Sequence, residues 1–275
     1  MKTTHNKKTA AIIFGGISPE HEVSIITGVQ ILNSTDQSLY NVIPVYISKE
    51  GKWYTHNSFF SMETFKNLET IPYFSHQVIA QTDTPGYFLI KEGFIFKKTK
   101  TIKIDIAFPC VHGDLGEGGG LQGLLEVLDI PYVGSNILGS ALGMNKIKTR
   151  ELLENLDMET IPYSVINKIN WQYNLKNKFA NLNFPLVVKP VSCGSSIGVS
   201  VVKNFPELES ALHLAFTFDN KVIVEKYLKN YREINIAVID SLEEEPITSV
   251  CEEVFYTDDL FTFEDKYKGK SGKSG

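Results

Sequence analysis

Apolar runs and glycine-rich turns alternate through the first half of the chain. Ala10–Phe14 is an apolar run of the buried-strand type, and it leads through Gly15-Gly16 into apolar residues at helical spacing from Val23 onward. Ile104–Phe108 is a second such run, followed by a glycine-rich stretch and the helical stripe Leu121–Leu128. This order of strand, glycine loop and helix predicts the start of a doubly wound α/β domain.

The pattern changes after Ile161-Pro162, where turns rather than long helices separate the apolar runs. An amphipathic helix that carries Lys146 is predicted over Ser140–Leu156, just before the change. The later elements are predicted as strands Phe184–Lys189 and Val199–Lys203, helix Pro206–Phe218, strand Val222–Glu225 and a half-buried strand Arg232–Ile239. Strands with few helices between them predict an α+β domain with mainly antiparallel pairing.

Two loops have the composition of ligand sites. The Gly-Ser turn Gly194–Gly198 follows a strand that ends in Lys189, and consecutive backbone N–H groups beside a lysine can hold a phosphate. An ordinary turn with a solvated lysine explains the same residues. His112 and Glu117 follow the strand that ends at Phe108, and in open α/β sheets ligands bind beyond the carboxyl ends of strands. A structural histidine is the alternative there.

Composition narrows the class of protein. Of 275 residues, 43% are hydrophobic and 21% charged, and the net charge of −5 comes without a dense basic tract, so no nucleic-acid partner is expected. Three widely spaced cysteines form no metal-binding pattern and indicate a reducing compartment. The apolar run near the N-terminus is too short for a signal peptide or a membrane span. A cytoplasmic protein without membrane contact is therefore predicted.

Taken together and in order, these motifs resemble the D-alanine–D-alanine ligases of the ATP-grasp superfamily. The resemblance covers most of the chain except roughly residues 50–100. It rests on six collinear stretches: FGGISPEHEVSIITG (14–28), VHGDLGEGGGLQGLLEVLDIPYVGS (111–135), GMNKIKTRELL (143–153), PLVVKPVSCGSSIGVSVV (185–202), VIVEKYLKNYREINIAV (222–238) and FTFEDKY (261–267).

The resemblance implies a two-domain fold and the boundaries of its domains. It implies a Rossmann-like pre-ATP-grasp substrate domain over residues 1–139, followed by an incomplete ATP-grasp fold over 140–275. The central subdomain is expected at about 140–228 and the start of a C-terminal subdomain at 229–275. The family is commonly dimeric, which implies a homodimer.

The implied reaction joins two D-alanines with ATP through an acyl phosphate, for peptidoglycan precursor synthesis. By resemblance, Glu20 holds the ammonium of the first D-alanine and His112 lies near its carboxylate. Ser195 is expected to link Glu20 to Tyr267, and Lys266 to reach the transferred phosphate. A tyrosine at position 267 favours the dipeptide over a D-alanyl-D-lactate product.

The nucleotide site is implied in the same way. Lys146 and Lys189 match the lysines that contact the ATP phosphates, and the Gly-Ser loop matches the one that closes over them. The residues expected to bind ATP are Lys146, Lys189, Gly194, Ser195, Ser196, Gly198, Glu225, Lys226, Tyr227, Leu228 and Glu233.

The chain departs from the family pattern in a few places. Asn145 and Gly118 stand where the family usually has aspartate, and Cys193 where polar or aliphatic residues are usual. The ligands for Mg²⁺ or Mn²⁺ are expected beyond Gly275, so no metal ligand is assigned in this chain, and the 275 residues alone are expected not to turn over. The alternatives are an inactive nucleotide-binding fragment and another ATP-grasp carboxylate–amine ligase.

Overall fold

The computed structural model describes residues 7–92, 98–173, 175, 179, 183–240 and 245–254. They form two compact units. The first comprises the described residues up to Thr160 together with Val191–Gly194, and the second comprises the others. The predicted domain limits of 1–139 and 140–275 remain a prediction.

The first unit is built on a seven-stranded sheet in the order β6-β5-β4-β3-β2-β1-β7. Its strands are β1 (Lys8–Gly15), β2 (Tyr40–Ile47), β3 (Trp53–Thr55), β4 (His76–Ala80), β5 (Tyr87–Glu92), β6 (Lys98–Lys103) and β7 (Ile106–Pro109). Its helices are α1 (His21–Ser34), α2 (Ile71–Phe74), α3 (Asp114–Glu117), α4 (Gly120–Val127), α5 (Ile137–Met144) and α6 (Lys146–Asn155). Short 3₁₀ helices lie at Asn57–Phe60, Met62–Lys66 and Leu68–Thr70.

Strand β1 is buried on both faces, which explains its unbroken apolar sequence. Ile13 packs in one core cluster with Leu125 of α4, and Phe14 packs in another with Leu32 of α1. The strand pairs in parallel with β2 and β7, whereas the pairs from β2 to β6 are antiparallel. The carboxyl ends of β1 and β7 consequently lie side by side, and so do the two glycine loops that follow them.

The single helix predicted over Ser140–Leu156 is wrong, because the chain forms α5 and α6 with Asn145 between them. Asn145 is extended, and its side-chain oxygen accepts the backbone N–H groups of Ile147 and Lys148. An asparagine in that position starts a new helix, so Lys146 becomes the first residue of α6.

The second unit contains a four-stranded antiparallel sheet in the order β10-β9-β11-β8, together with helix α7 and two small two-stranded sheets. Its elements are β8 (Tyr163–Asn167), β9 (Leu186–Pro190), β10 (Ser200–Val202), α7 (Phe205–Ala215), β11 (Lys221–Lys226), β12 (Glu233–Asn235), β13 (Val238–Ile239), β14 (Ile247–Thr248) and β15 (Glu252–Val254). Leu208 and Leu212 of α7 pack on Val188 and Val224 of the sheet in one buried cluster. The predicted α/β and α+β fold class is confirmed.

One predicted strand of this unit is wrong. Arg232–Ile239 forms two strands in different sheets, since β12 pairs with β15 and β13 pairs with β14. Ala237 separates them, donating its N–H to the hydroxyl of Ser249 and accepting the Ser249 N–H, each at 2.9 Å. The apolar side chains of β13 are exposed rather than half-buried.

None of the helices in the described parts of the chain is long and apolar enough to span a bilayer.

Candidate active site

The loop after β1 owes its shape to glycine. Gly15 has a φ of +89°, and a Cβ at this position would lie 2.2 Å from the carbonyl oxygen of Ile47. A side chain is therefore excluded on both conformational and steric grounds. The turn brings the chain from the end of β1 to Ser18, shortly before α1 begins at His21.

Glu20 is the buried carboxylate of this loop, with only 3% of its surface exposed. Glu20 is the N-cap residue of α1, and the Ser18 hydroxyl accepts the Glu20 N–H at 2.8 Å. A Cβ on Gly113 would lie 3.0 Å from Glu20 Oε2, and one on Gly194 would lie 3.3 Å from Oε1. The carboxylate thus lies between two glycine backbones, where a buried anion favours an ammonium partner.

His112 lies in the loop after β7 and forms a pair with Glu117. Its Nδ1 is 3.4 Å from Glu117 Oε1, and its Nε2 is 3.0 Å from the hydroxyl of Thr27. The hydrogen bond with Glu117 raises the pKa of His112 more than burial lowers it, and the charges of Glu117 and Glu20 add to the rise. His112 and Glu20 are therefore close enough to interact electrostatically. Their predicted roles, at the carboxylate and at the ammonium of one small molecule, require such proximity.

Glu117 is fixed from two sides. Burial would raise the pKa of this carboxyl, but the hydrogen bonds with His112 and with the Gly113 N–H, at 2.8 Å, outweigh burial and lower it. The pair therefore combines a carboxylate with an imidazole that holds its proton more tightly than usual. Such a pair can present a positive charge to an anionic ligand.

Sequence reasoning missed the support beneath this loop. His21 is fully buried, with Nδ1 2.6 Å from the carbonyl oxygen of Gly16 and Nε2 3.0 Å from the hydroxyl of Tyr46. The carbonyl can only accept, so Nδ1 carries the proton and Nε2 accepts from Tyr46. Burial lowers the pKa of His21, which keeps the ring neutral. Tyr46 is 25 residues away along the chain, so only the fold reveals this pairing.

Ser24 is a second support that the sequence pattern did not indicate. Its hydroxyl accepts the Gly15 N–H at 2.8 Å and donates to the carbonyl oxygen of Cys110 at 2.6 Å. One side chain thus ties the loop after β1 to the loop after β7. The Ser24 side chain therefore fixes the position of the segment that carries Glu20 relative to the segment that carries His112.

Lys146 contacts the segment that leads into the Gly-Ser loop. Its ammonium donates to the carbonyl oxygen of Cys193 at 2.5 Å and to that of Val191 at 3.4 Å. A lysine at a helix N-terminus is disfavoured by the helix dipole. The two carbonyl oxygens compensate for that cost and place a positive charge beside residues 191–193.

In the second unit, Lys189 of β9 forms an ion pair with Glu225 of β11. Glu225 is buried and Lys189 is partly exposed, so the ammonium lies nearer the surface. Ladder pairs Lys189–Ile223 and Val187–Glu225 place the two charged residues one diagonal step apart on neighbouring antiparallel strands. This ion pair brings together two of the residues that were predicted for the nucleotide site.

The other predicted nucleotide residues of this unit lie on loops and at strand ends. Ser195 and Ser196 have φ values of +48° and +59°, so the Gly-Ser turn is left-handed at two non-glycine positions. Lys226 and Tyr227 donate their N–H groups to the carbonyl oxygens of Pro162 and Pro185. The remaining predicted residues here are Gly198 in the same turn, Leu228 after β11 and Glu233 in β12. Lys266 and Tyr267 lie outside the described residues.

Two family models match the chain. One is described as "D-ala D-ala ligase N-terminus" and covers residues 9–135; the other is described as "D-ala D-ala ligase C-terminus" and covers residues 152–274. They match the first and second halves in the order predicted from the sequence.

Named relatives agree with these matches. The chain is 40% identical over 261 residues to a D-alanine–D-alanine ligase of Thermosipho melanesiensis, covering 94% of this chain and 70% of the relative. It is 34% identical over 274 residues to one from Geobacillus kaustophilus, covering 95% and 71%.

Solved structures agree as well. D-alanine–D-alanine ligase from Helicobacter pylori superposes with a TM-score of 0.76 at 29% identity, over 90% of this chain and 75% of that one. The VanG D-Ala:D-Ser ligase from Enterococcus faecalis superposes with a TM-score of 0.74 at 31% identity, over 90% and 69%.

Proposed function

The chain belongs to the D-alanine–D-alanine ligase family, and from that premise we propose that it ligates two D-alanines with ATP for peptidoglycan precursors. The expectation that the 275 residues alone do not turn over is the alternative that the activity measurements below decide. The observation that carries the proposal is the buried Glu20 carboxylate beside the His112–Glu117 pair. A carboxylate and an imidazole with a raised pKa in one place complement the ammonium and the carboxylate of a free amino acid.

The proposed reaction has two steps. A carboxylate oxygen of the first D-alanine attacks the γ-phosphorus of ATP, and the bond to the bridging oxygen breaks, which releases ADP. The amine of the second D-alanine then attacks the carbonyl carbon of the acyl phosphate. The carbon–oxygen bond breaks, phosphate leaves with that oxygen, and the amine loses a proton as the peptide forms.

The residues of the first unit act on the first D-alanine. Glu20 holds the ammonium, and its burial strengthens the attraction. His112, whose pKa is raised by the hydrogen bond with Glu117, directs the carboxylate. Lys146 of the same unit has a different role: its ammonium lies beside residues 191–193, and there it attracts the phosphates of ATP.

The residues of the second unit act on the nucleotide. Lys189 neutralises phosphate charge, and the N–H groups of the Gly-Ser turn add donors. Glu225 and Glu233 are suitable acceptors for ribose hydroxyls. Backbone groups of residues 226–228 face the adenine in this proposal. Ser195, Lys266 and Tyr267 keep the roles that the resemblance implies.

Mg²⁺ enters the proposal as the counter-ion of ATP. Among the described residues, no group of three or more histidine, cysteine, aspartate or glutamate side chains could hold a metal ion. We also propose a cytoplasmic homodimer, in keeping with the family.

A substrate-binding variant tests the role of Glu20. Glu20→Gln removes the buried charge, and the KM for the first D-alanine is expected to rise roughly a hundredfold, as for loss of a charged hydrogen bond of about 3 kcal/mol. Glu22→Gln is the matched control, since Glu22 is exposed and pairs with Lys49 at the surface, and it should change the KM by less than about twofold. Equal effects of both variants would contradict the assignment.

The second substrate is tested by competition. ATP and D-alanine are supplied with D-serine or D-lactate, because one similar structure is a D-Ala:D-Ser ligase. D-Alanyl-D-alanine is the expected main product. Preferential formation of D-alanyl-D-serine or D-alanyl-D-lactate would overturn the proposed product.

A further inference from the structure

A cavity of 340 Å³ opens in the sheet of the first unit, away from Glu20 and His112. It forms because β2 and β3 are joined by only two pairs, Tyr46–Tyr54 and Ile47–Trp53. Val42–Pro44 of β2 therefore line the cavity without a strand beside them on that side. Ligand pockets begin at about 300 Å³, so the space suits a small molecule.

The cavity has a buried apolar floor. Ile90 is 5% exposed, and Ile43 and Ile102 lie beside it, so three isoleucines from three strands contribute aliphatic surface. Thr55, 7% exposed, adds a hydroxyl to this floor. A ligand with a short aliphatic side chain would bury it here.

One anion and one cation line the same space. Glu92 of β5 and Lys100 of β6 both border the cavity. The ladder pairs Ile90 with Lys100 and Glu92 with Lys98, so Glu92 and Lys100 are diagonal neighbours on one face, with Cβ atoms roughly 7 Å apart. Neither side chain has an ion-pair or hydrogen-bond partner among the described residues. The two charges are separated and available.

His56 adds a defined donor to the lining. Its Nδ1 accepts the Ser58 N–H at 3.2 Å, so the proton of the neutral ring is on Nε2. Burial, and then the neighbouring His76, lower the pKa of His56, which keeps it neutral. The lining therefore combines an ammonium, an N–H donor and a carboxylate above an apolar floor.

We propose that this cavity binds a small zwitterion that carries an ammonium and a carboxylate, an amino acid or a dipeptide, with Glu92 on the ammonium and Lys100 on the carboxylate. Opposite charges held a diagonal step apart match a molecule whose own charges are separated, whereas a singly charged ligand would leave one protein charge unused. The inference does not depend on the proposed ligase function.

Methyl NMR tests it, because the three floor isoleucines serve as reporters. Protein labelled at isoleucine δ1 methyls is titrated with D-alanine, D-alanyl-D-alanine, propionate and propylammonium. Both zwitterions report on the shared chemistry, and their affinities distinguish amino acid from dipeptide. The methyls of Ile43, Ile90 and Ile102 should shift saturably with at least one zwitterion and not with the singly charged probes.

Three variants give the test its specificity. Glu92→Gln and Lys100→Met should each raise the Kd at these methyls about tenfold or more, as for loss of a charged hydrogen bond. Lys91→Met is the matched control on strand β5, on the opposite face of the sheet from Glu92 and outside the cavity lining, and should change the Kd less than about twofold. Unchanged methyl positions elsewhere show that each variant is folded.

Two results would overturn the inference. The first is a saturable shift confined to Ile17, which lies in the loop before Glu20 and reports binding there instead. The second is a shift at the three floor methyls that Glu92→Gln and Lys100→Met leave unchanged. Absence of ligase activity would leave these binding results unaffected, so the two proposals fail separately.

Discussion

At the scale of single residues, the His112–Glu117 pair predicts a dependence of stability on pH. His112 has a pKa raised above its ordinary value of 6.5, so its contribution is fully present below 6.5 and is lost as the pH rises through the raised value. Glu117 has a pKa lowered from 4.5, so its contribution is present above 4.5 and is lost as the pH falls through the lowered value. The pair therefore stabilises the folded protein most at pH values between 4.5 and 6.5.

Glu117→Gln removes the cause of the His112 shift, and the pKa of His112 is expected to fall toward 6.5. Because both side chains are partly exposed, the loss of stability near pH 6 should be at most about 1 kcal/mol. Histidine Cε1 chemical shifts followed against pH measure the first quantity, and urea unfolding measures the second. An unchanged His112 pKa would show that the pair does not form in solution.

Gly194 lies against the Glu20 carboxylate, so an alanine there should disturb the site rather than the fold. A Cβ at 3.3 Å from Oε1 forces the carboxylate to move by a few tenths of an ångström, and the KM for D-alanine is expected to rise roughly tenfold. Gly143→Ala is the control, since a Cβ there meets nothing within 4 Å and an alanine favours helix α5. If both variants have the same KM, Gly194 does not constrain Glu20.

Sequence reasoning placed His112 and Glu117 at a ligand site because they follow a buried strand in a glycine-rich loop, and it assigned Glu20 by resemblance to the family. It did not find His21–Tyr46 or the Ser24 tie to Cys110, which join residues 25 and 86 positions apart. Those contacts depend on which strands become neighbours in the sheet, and the local pattern of apolar residues does not predict strand neighbours.

At the scale of elements, Asn145 separates two helices that the apolar pattern joined into one. Asn145→Ala removes the acceptor for the N–H groups of Ile147 and Lys148 and should cost about 1 kcal/mol. Asn145→Asp keeps an acceptor at the N-cap and should retain the stability. Chemical unfolding of both variants decides the matter; an alanine variant as stable as the aspartate variant would contradict the cap.

The β9–β11 ladder contains a buried carboxylate whose cationic partner can be removed. Lys189→Met takes the ammonium away from Glu225 and is expected to destabilise the protein by about 3 kcal/mol, because the charge remains in a buried place. Lys189→Met combined with Glu225→Gln should recover part of that loss, since the buried carboxylate charge is gone. Additive losses in the unfolding experiment would show that the two side chains are not coupled.

Strand and helix types were predictable where the apolar period was strong, as in β1, α1, β9 and β11. The division of Arg232–Ile239 into β12 and β13 was not, because the apolar run Ile236–Ile239 passes through Ala237 without a turn signal while the pairing partner changes. Periodicity reports which face of a strand is apolar, and hydrogen-bond partners decide where the strand ends.

At the scale of the whole molecule, the two compact units divide the predicted chemistry. The first contains Glu20, His112 and Lys146, and the second contains Lys189, Glu225 and Glu233. The family matches follow the same order along the chain, with the N-terminal model over residues 9–135 and the C-terminal model over 152–274. The order of motifs along the sequence was therefore sufficient to predict the family and its fold class.

The fate of one carboxylate oxygen of D-alanine tests the proposed ligation. The protein is incubated with ATP and D-alanine carrying ¹⁸O in its carboxylate, and the phosphate, nucleotide and peptide are analysed by mass spectrometry. We expect D-alanyl-D-alanine, ADP and inorganic phosphate that has acquired one ¹⁸O per peptide formed. Phosphate without ¹⁸O, or ¹⁸O in AMP, would contradict activation of the D-alanine carboxylate by the γ-phosphate of ATP.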